Sequence, residues 1–261
     1  MGGRVTPRNH AAFPGSARRR RVECMTETVI IGGASGMGLA LAHALVGEGE
    51  DVTIAGRSAD RLAAARTALE RTGHGRVRTR RADISREDEV ADLFATDRPV
   101  DHVVVTAADA TGVYGPTARL ATDTARSVLN TKLLGAWLIG KYAAGAVTES
   151  LTFTSGINAY RPNGSNTIMA AANGALASLA AGLAIEMAPV RVNVVSPGWV
   201  DTPIWNQLGM DTQQAFTEMA QRLPARRVGV ADDIAQAFLA VLRNRFITAT
   251  VLHVDGGHRF V

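Results

Sequence analysis

Short apolar runs rich in β-branched residues alternate along this chain with longer stretches of helical period. Val29-Ile30-Ile31 has the composition of a strand buried on both faces. It runs into the glycine-dense turn Gly32-Gly33-Ala34-Ser35-Gly36-Met37-Gly38, after which Leu39 to Val46 reads as a helix packing back on the strand. The alternation predicts further strands at 51–55, 77–82, 102–106, 151–154, 191–195 and 250–254, and helices at 59–72, 122–146, 166–187 and 231–243. Ser85 with Asp88 opens another helix as a capping-box-like start, and Ser196-Pro197-Gly198 stops the sixth strand. Strict βα alternation without a composition shift implies one α/β domain over 26–261: a Rossmann-type, doubly wound, seven-stranded and mostly parallel sheet flanked by helices.

Two helical segments, 133–147 and 168–188, are apolar enough to suggest membrane spans. They contain Lys141, Asn173 and Glu186 among many Ala and Gly, so close helix–helix approach and a subunit interface fit better. A homodimer or homotetramer is therefore expected, with no membrane partner. Residues 1–25 lack apolar periodicity and an apolar signal core, and are expected to be a disordered tail ahead of the folded chain.

Charge changes this picture little. The chain carries +4 in total, but residues 1–24 hold six arginines and one glutamate, so the remainder is −1. A near-neutral body argues against a nucleic-acid partner. Lys132 and Lys141 are the only lysines. The single cysteine, Cys24, excludes an intrachain disulfide and fits a reducing, cytoplasmic setting. The six histidines do not fall at metal-ligand spacings, and no metal is expected.

Strand, glycine turn and helix N-terminus together form an anion site, where free backbone N–H groups and the helix dipole converge. With that turn the chain resembles the short-chain dehydrogenases/reductases over residues 27–257. Gly32 to Gly38 matches their TGxxxGxG, with Ile31 in place of threonine. Asp83-Ile84 falls at the adenine position, Thr106-Ala107-Ala108-Asp109 at NNAG, Asn130 at the helix asparagine and Ser155 at the serine ending the fifth strand. Ser196 to Pro203 matches the PG…T segment and Val254-Asp255-Gly256-Gly257 the terminal VDGG. The resemblance implies a nicotinamide cofactor whose pyrophosphate meets Gly32, Ser35, Gly36, Met37 and Gly38. Asp83, Ile84, Ala107 and Ala108 would line the adenosine side, and Pro197, Gly198, Val200 and Thr202 the carboxamide. Cofactor choice is read after the second strand, where Gly56-Arg57-Ser58 lacks the acid that holds an unphosphorylated ribose. Arg57 and Ser58 suit a 2′-phosphate, so NADP(H) is expected over NAD(H).

The resemblance fails at YxxxK, the tyrosine acid and the lysine one turn later. Aligned backwards from 184–187 the two positions hold Met169 and Asn173, or Ile168 and Ala172 one register away. None of Tyr114, Tyr142 and Tyr160 has lysine four residues on. Four readings stay open: a surrogate acid, with Tyr160 or Asp109 as candidates; a substrate such as an iminium or conjugated alkene that needs little acid; a reaction without redox, such as cyclisation or isomerisation; or a binder acting as sensor or partner subunit. Ser155 and Asn130 would orient substrate or water. Trp199, Trp205, Leu208, Met210, Phe216, Met219 and Met169 either line an apolar pocket or pack a lid, which favours a small or medium apolar carbonyl, imine or enone as substrate. The expected function is an NADP(H)-dependent oxidoreductase with an unusual active site.

Overall fold

The computed structural model describes residues 26–96, 98–109, 112–207 and 212–261. The expected tail 1–25, and Leu208 and Met210 of the expected lid, lie outside the described residues. In chain order the main elements are β1 (Glu27–Ile31), α1 (Gly36–Gly47), β2 (Asp51–Gly56), α2 (Ala59–Leu69), β3 (Val77–Arg81), α3 (Glu87–Phe94) and β4 (Val100–Val105). There follow α4 (Thr122–Leu129), a π-helical turn (Asn130–Leu134), α5 (Gly135–Ala143), β5 (Val147–Thr154), α6 (Thr167–Glu186) and β6 (Arg191–Pro197). The chain ends with β7 (Val200–Asp201), α7 (Thr212–Arg222), β8 (Gly229–Val230), α8 (Ala231–Arg243) and β9 (Val251–Val254).

Seven strands form one parallel sheet in the order β3-β2-β1-β4-β5-β6-β9; β7 and β8 make a small parallel pair beside it. Each strand sends alternate side chains into two cores. Ile30, Val52, Ile54 and Val104 join the inner faces of α1, α2 and α8, whereas Val29, Ile31, Val103 and Val105 join α3, α5 and α6. Burial on both faces is why the central strands read as unbroken apolar runs rather than alternating ones. The buried Arg191 guanidinium closes the far end of α8, donating to the carbonyls of Val241 and Leu242 at 2.7 and 2.8 Å. There it answers the orphan carbonyls and negative dipole of the helix terminus.

Three local expectations need correction. The capping box at Ser85 does not form: the N-cap of α3 is Arg86, and Ser85 donates from Oγ and N to the Asp83 carboxylate instead. The fifth strand starts four residues early, because Val147 pairs with Val100 before a register shift leads into His102↔Ser150. The long helix expected over 122–146 is interrupted by the π turn at 130–134, a deviation that re-phases the side chains beyond it. The apolar helix α6 has the length and hydropathy of a span, yet Met169, Ala172, Asn173, Leu176, Ala180 and Leu183 are buried against the rest of the fold.

Candidate active site

All seven strands run parallel, so β1, β4, β5 and β6 end at one edge of the sheet. The chain order reverses between β1 and β4, where a crevice opens. The β1–α1 turn floors it. Gly32 has φ +92°, and a Cβ there would lie 2.6 Å from Thr106 Oγ1 and 2.7 Å from the Ala107 nitrogen. A Cβ on Gly38 would come within 2.5 Å of the same hydroxyl and 2.6 Å of the Gly32 carbonyl. These two glycines therefore let the turn settle onto the end of β4, where Thr106 and Ala107 both donate to the Ile31 carbonyl. The absence of side chains at Gly32 and Gly38 is thus required by the packing of the turn itself. Gly36 (φ +53°) is the one that faces Thr202 across the crevice, with its missing Cβ 3.4 Å from the Thr202 Cβ.

The N-terminus of α1 fits an anionic group. Ser35 is exposed and its side chain does not cap the helix, and the first turn holds no acid. The first intrahelical bond is Leu39 N–H to Ser35 O, so the N–H groups of Gly36, Met37 and Gly38 lack helical acceptors. At the end of β2, Ser58 caps α2 by accepting from Arg61 N–H at 3.3 Å, leaving its own O–H to donate. Asp83 holds the turn after β3, and Ile84 is buried in the core, so Ile84 offers the crevice backbone only. Gly198 N–H is bound to the Val254 carbonyl, and a Cβ there would strike Asp255. Pro197 and Val200 are buried, and the Val200 carbonyl accepts Trp205 Nε1 at 2.7 Å.

Asp109 does not lie with the nicotinamide-side residues. Its carboxylate reaches over β1 to Arg57, with Nη2 3.2 Å away. The acid candidate Asp109 is thus paired with the arginine expected to hold the 2′-phosphate.

The catalytic expectations change most. Ser155, 5% exposed, donates its hydroxyl to the Asn173 carbonyl at 2.9 Å. A hydroxyl has one proton, so Ser155 presents lone pairs rather than a donor to the crevice. Asn130 is exposed and does not point inward. Two residues on, Lys132 is 7% exposed, because residues two apart on a helix face nearly opposite ways. Its Nζ donates to the carbonyl of Thr154, the last residue of β5, at 2.8 Å. Burial alone pulls Lys132 down to about 8. The inward group on this helix is the lysine, not the asparagine. The signal was in the sequence: Val128, Lys132, Ala136, Ile139 and Ala143 fall on one helical stripe and all are buried.

Neither Tyr160 nor Tyr114 is activated. Tyr160 is 40% exposed and packs edge-on against His253 of β9, with centroids 4.5 Å apart; burial pushes its phenol up, away from acid duty at neutral pH. Burial raises Tyr114 as well. The Tyr142 hydroxyl donates to Glu87 at the surface between α3 and α5. Asn173 binds Asn158 Oδ1 through Nδ2 at 2.7 Å, which leaves its own Oδ1 buried without a partner. The apolar residues expected as lining mostly pack the lid. Trp199, Trp205 and Phe216 stack on one another with centroids 4.6 to 6.3 Å apart, and Met219 is buried. Met169 lies in a small core with Val113, Val128 and Ala172.

Comparison with known proteins agrees with this architecture. The family described as Enoyl-(Acyl carrier protein) reductase matches residues 32–259. The short-chain dehydrogenase/reductase malC of Malbranchea aurantiaca is 31% identical over 245 residues, covering 88% of this chain and 92% of the relative. A solved structure of the MalC reductase/Diels-Alderase from that organism superposes with a TM-score of 0.83 at 29% identity, over 89% of this chain and 96% of the other. A small-chain dehydrogenase solved in complex with NADPH gives a TM-score of 0.74 at 32% identity, over 91% of this chain and all of the other. The cis-4-hydroxycyclohexanecarboxylate dehydrogenase of Sinomonas cyclohexanicum is 32% identical over 246 residues, covering 89% and 96% of the two chains. With its glycine-floored crevice, parallel sheet and matched termini, the chain belongs to the short-chain dehydrogenase/reductase family and is an oxidoreductase of that fold.

Proposed function

We propose that the protein is an NADP(H)-dependent reductase or dehydrogenase that works without the family's tyrosine and lysine, on a small or medium apolar carbonyl, imine or enone. One observation carries the cofactor choice: β2 ends in Gly56-Arg57-Ser58, a guanidinium and an O–H donor with no acid to repel a 2′-phosphate. The NADPH held by one solved relative is consistent with it. When bound, the dinucleotide supplies or accepts hydride. Gly36, Met37 and Gly38 N–H groups hold its pyrophosphate, Arg57 and Ser58 its 2′-phosphate, and Thr202 faces the carboxamide end. The absent pair is read from Met169 and Asn173 on α6, both buried and neither able to donate as a phenol and an ammonium do.

A second reading, cyclisation at the same site without redox turnover, is favoured by the relative whose structure is described as both reductase and Diels-Alderase. Deuteride transfer separates the two. With 4-deuterated NADPH and a panel of ketones, imines and enones, stereospecific label in a product supports the oxidoreductase, and its absence across the panel supports the second. We also read the protein as a cytoplasmic homo-oligomer without nucleic-acid or membrane partners. Trp137 on α5 and Ile185 on α6, 46% and 80% exposed, support the subunit contact.

A further inference from the structure

Lysine is among the residues least often buried, and a buried ammonium normally has a carboxylate beside it. Lys132 has none among the described residues. Its one hydrogen bond goes to Thr154 O, and its displacement from ordinary lysine behaviour has burial as its sole cause. Two of its three N–H bonds are uncommitted. The residues next to its one hydrogen bond carry no charge: Thr154 accepts from Nζ, and Ser155 after it is bonded to the Asn173 carbonyl of α6. Val128 packs with Met169 and Ala172. Lys132 lies one turn past Val128, as Asn173 lies one turn past Met169. On Thr154 itself, and on the Asn173 that accepts Ser155's hydroxyl, the oxygens Thr154 Oγ1 and Asn173 Oδ1 are buried without partners among the described residues. An uncompensated cation with spare donors, held on the residue that ends β5, is a group whose counter-charge arrives from outside the protein. A preorganised charge of this kind acts most strongly on an oxygen that becomes negative during reaction.

We propose that Lys132 is the catalytic acid of this site, supplied from the π turn after α4 instead of from α6. This rests on the redox reading above. A C–H bond forms at the carbonyl carbon with hydride from the reduced nicotinamide, which is thereby oxidised. The C=O π pair moves onto oxygen, the Nζ–H bond of Lys132 breaks, and O–H forms to give the alcohol. The lysine is left as a neutral amine and takes a proton back from water.

Two lysines make the test direct. In full-length protein with 13C-labelled lysine side chains and NADP+, Lys141→Gln assigns the two Cε signals. Benzoate, an apolar carboxylate standing in for the developing oxyanion, is expected to shift the Lys132 signal and not that of Lys141. Lys132→Met should weaken benzoate at least 10-fold while NADP+ binding stays within threefold. With any carbonyl turned over in the deuteride panel, the same variant should lower kcat by roughly 10²–10⁴-fold with little change in KM. Lys132→Gln serves if the Met variant fails to fold. A Lys132 signal indifferent to benzoate, or equal benzoate affinity in the variant, overturns the proposal. If NADP+ itself does not bind, the cofactor reading falls instead, and the benzoate arm without dinucleotide still decides Lys132.

Discussion

Arg57 and Asp109 stand just past the ends of β2 and β4, the strands flanking β1, and the carboxylate 3.2 Å from the guanidinium competes for the charge a 2′-phosphate would use. Arg57 is more than half exposed, so the pair itself adds little to stability and its effect is on ligand choice. Charge-assisted bonds to phosphate are worth about 1.5–3 kcal/mol, and exposure puts this one at the lower end. Arg57→Ala should therefore weaken NADPH by about 10-fold and leave NADH within threefold, measured by nicotinamide fluorescence. Asp109→Asn removes the competitor and should tighten NADPH a few-fold, more at low salt than at high, with NADH unmoved. If the Asn variant instead loses NADPH affinity, the carboxylate orients the arginine and the competition argument is wrong.

At the scale of elements, the β1–α1 turn is held to β4 by an approach that tolerates no side chain. Gly38→Ala should destabilise the fold by about 1–3 kcal/mol, as overpacking does, and weaken either dinucleotide. Thr106→Ala should not rescue it, because the Gly32 carbonyl stays 2.6 Å from the new methyl. Melting curves of the single and double variants test this, and full rescue would place the clash on Thr106 alone. Turn, strands and helices were legible because burial on both faces writes runs such as Val103-Val104-Val105, and because Gly and Pro punctuate the gaps. The catalytic face was not. Asn130 comes from the family's helix asparagine, a match that does not weigh the apolar stripe carrying Lys132 inward. The Arg57–Asp109 pair joins residues 52 apart that only the order β2-β1-β4 brings together. Likewise, nothing local to Ser155 shows that a carbonyl of α6 takes its proton.

For the molecule as a whole, the opposite edge of the sheet sets the acid limit of stability. His102, near the start of β4, binds Ser150 Oγ through Nδ1 at 2.8 Å beside a cleft lined also by Glu50, Asp101, Glu149 and Arg245. Burial pulls it down to about 4; Arg191 and Arg245 act in the same direction, and Asp101 and Glu149 oppose them. Unfolding restores its ordinary value of 6.5, so between pH 4 and 6.5 the unfolded chain binds the extra proton. Stability from this residue is complete above 6.5, declines as pH falls through that window, and is lost near 4. The full span is worth up to about 3 kcal/mol. Glu50, raised mainly by its own burial, works the other way, binding its proton more readily in the fold from 4.5 upward. The net slope therefore understates the histidine. His102→Gln keeps a hydrogen-bonding partner for Ser150 while removing the titration. Denaturant midpoints at pH 7 and pH 5 should differ less in that variant than in the parent, by roughly 1–2 kcal/mol converted through the m-value. An unchanged difference would move the acid sensitivity off β4 and onto the carboxylates around it.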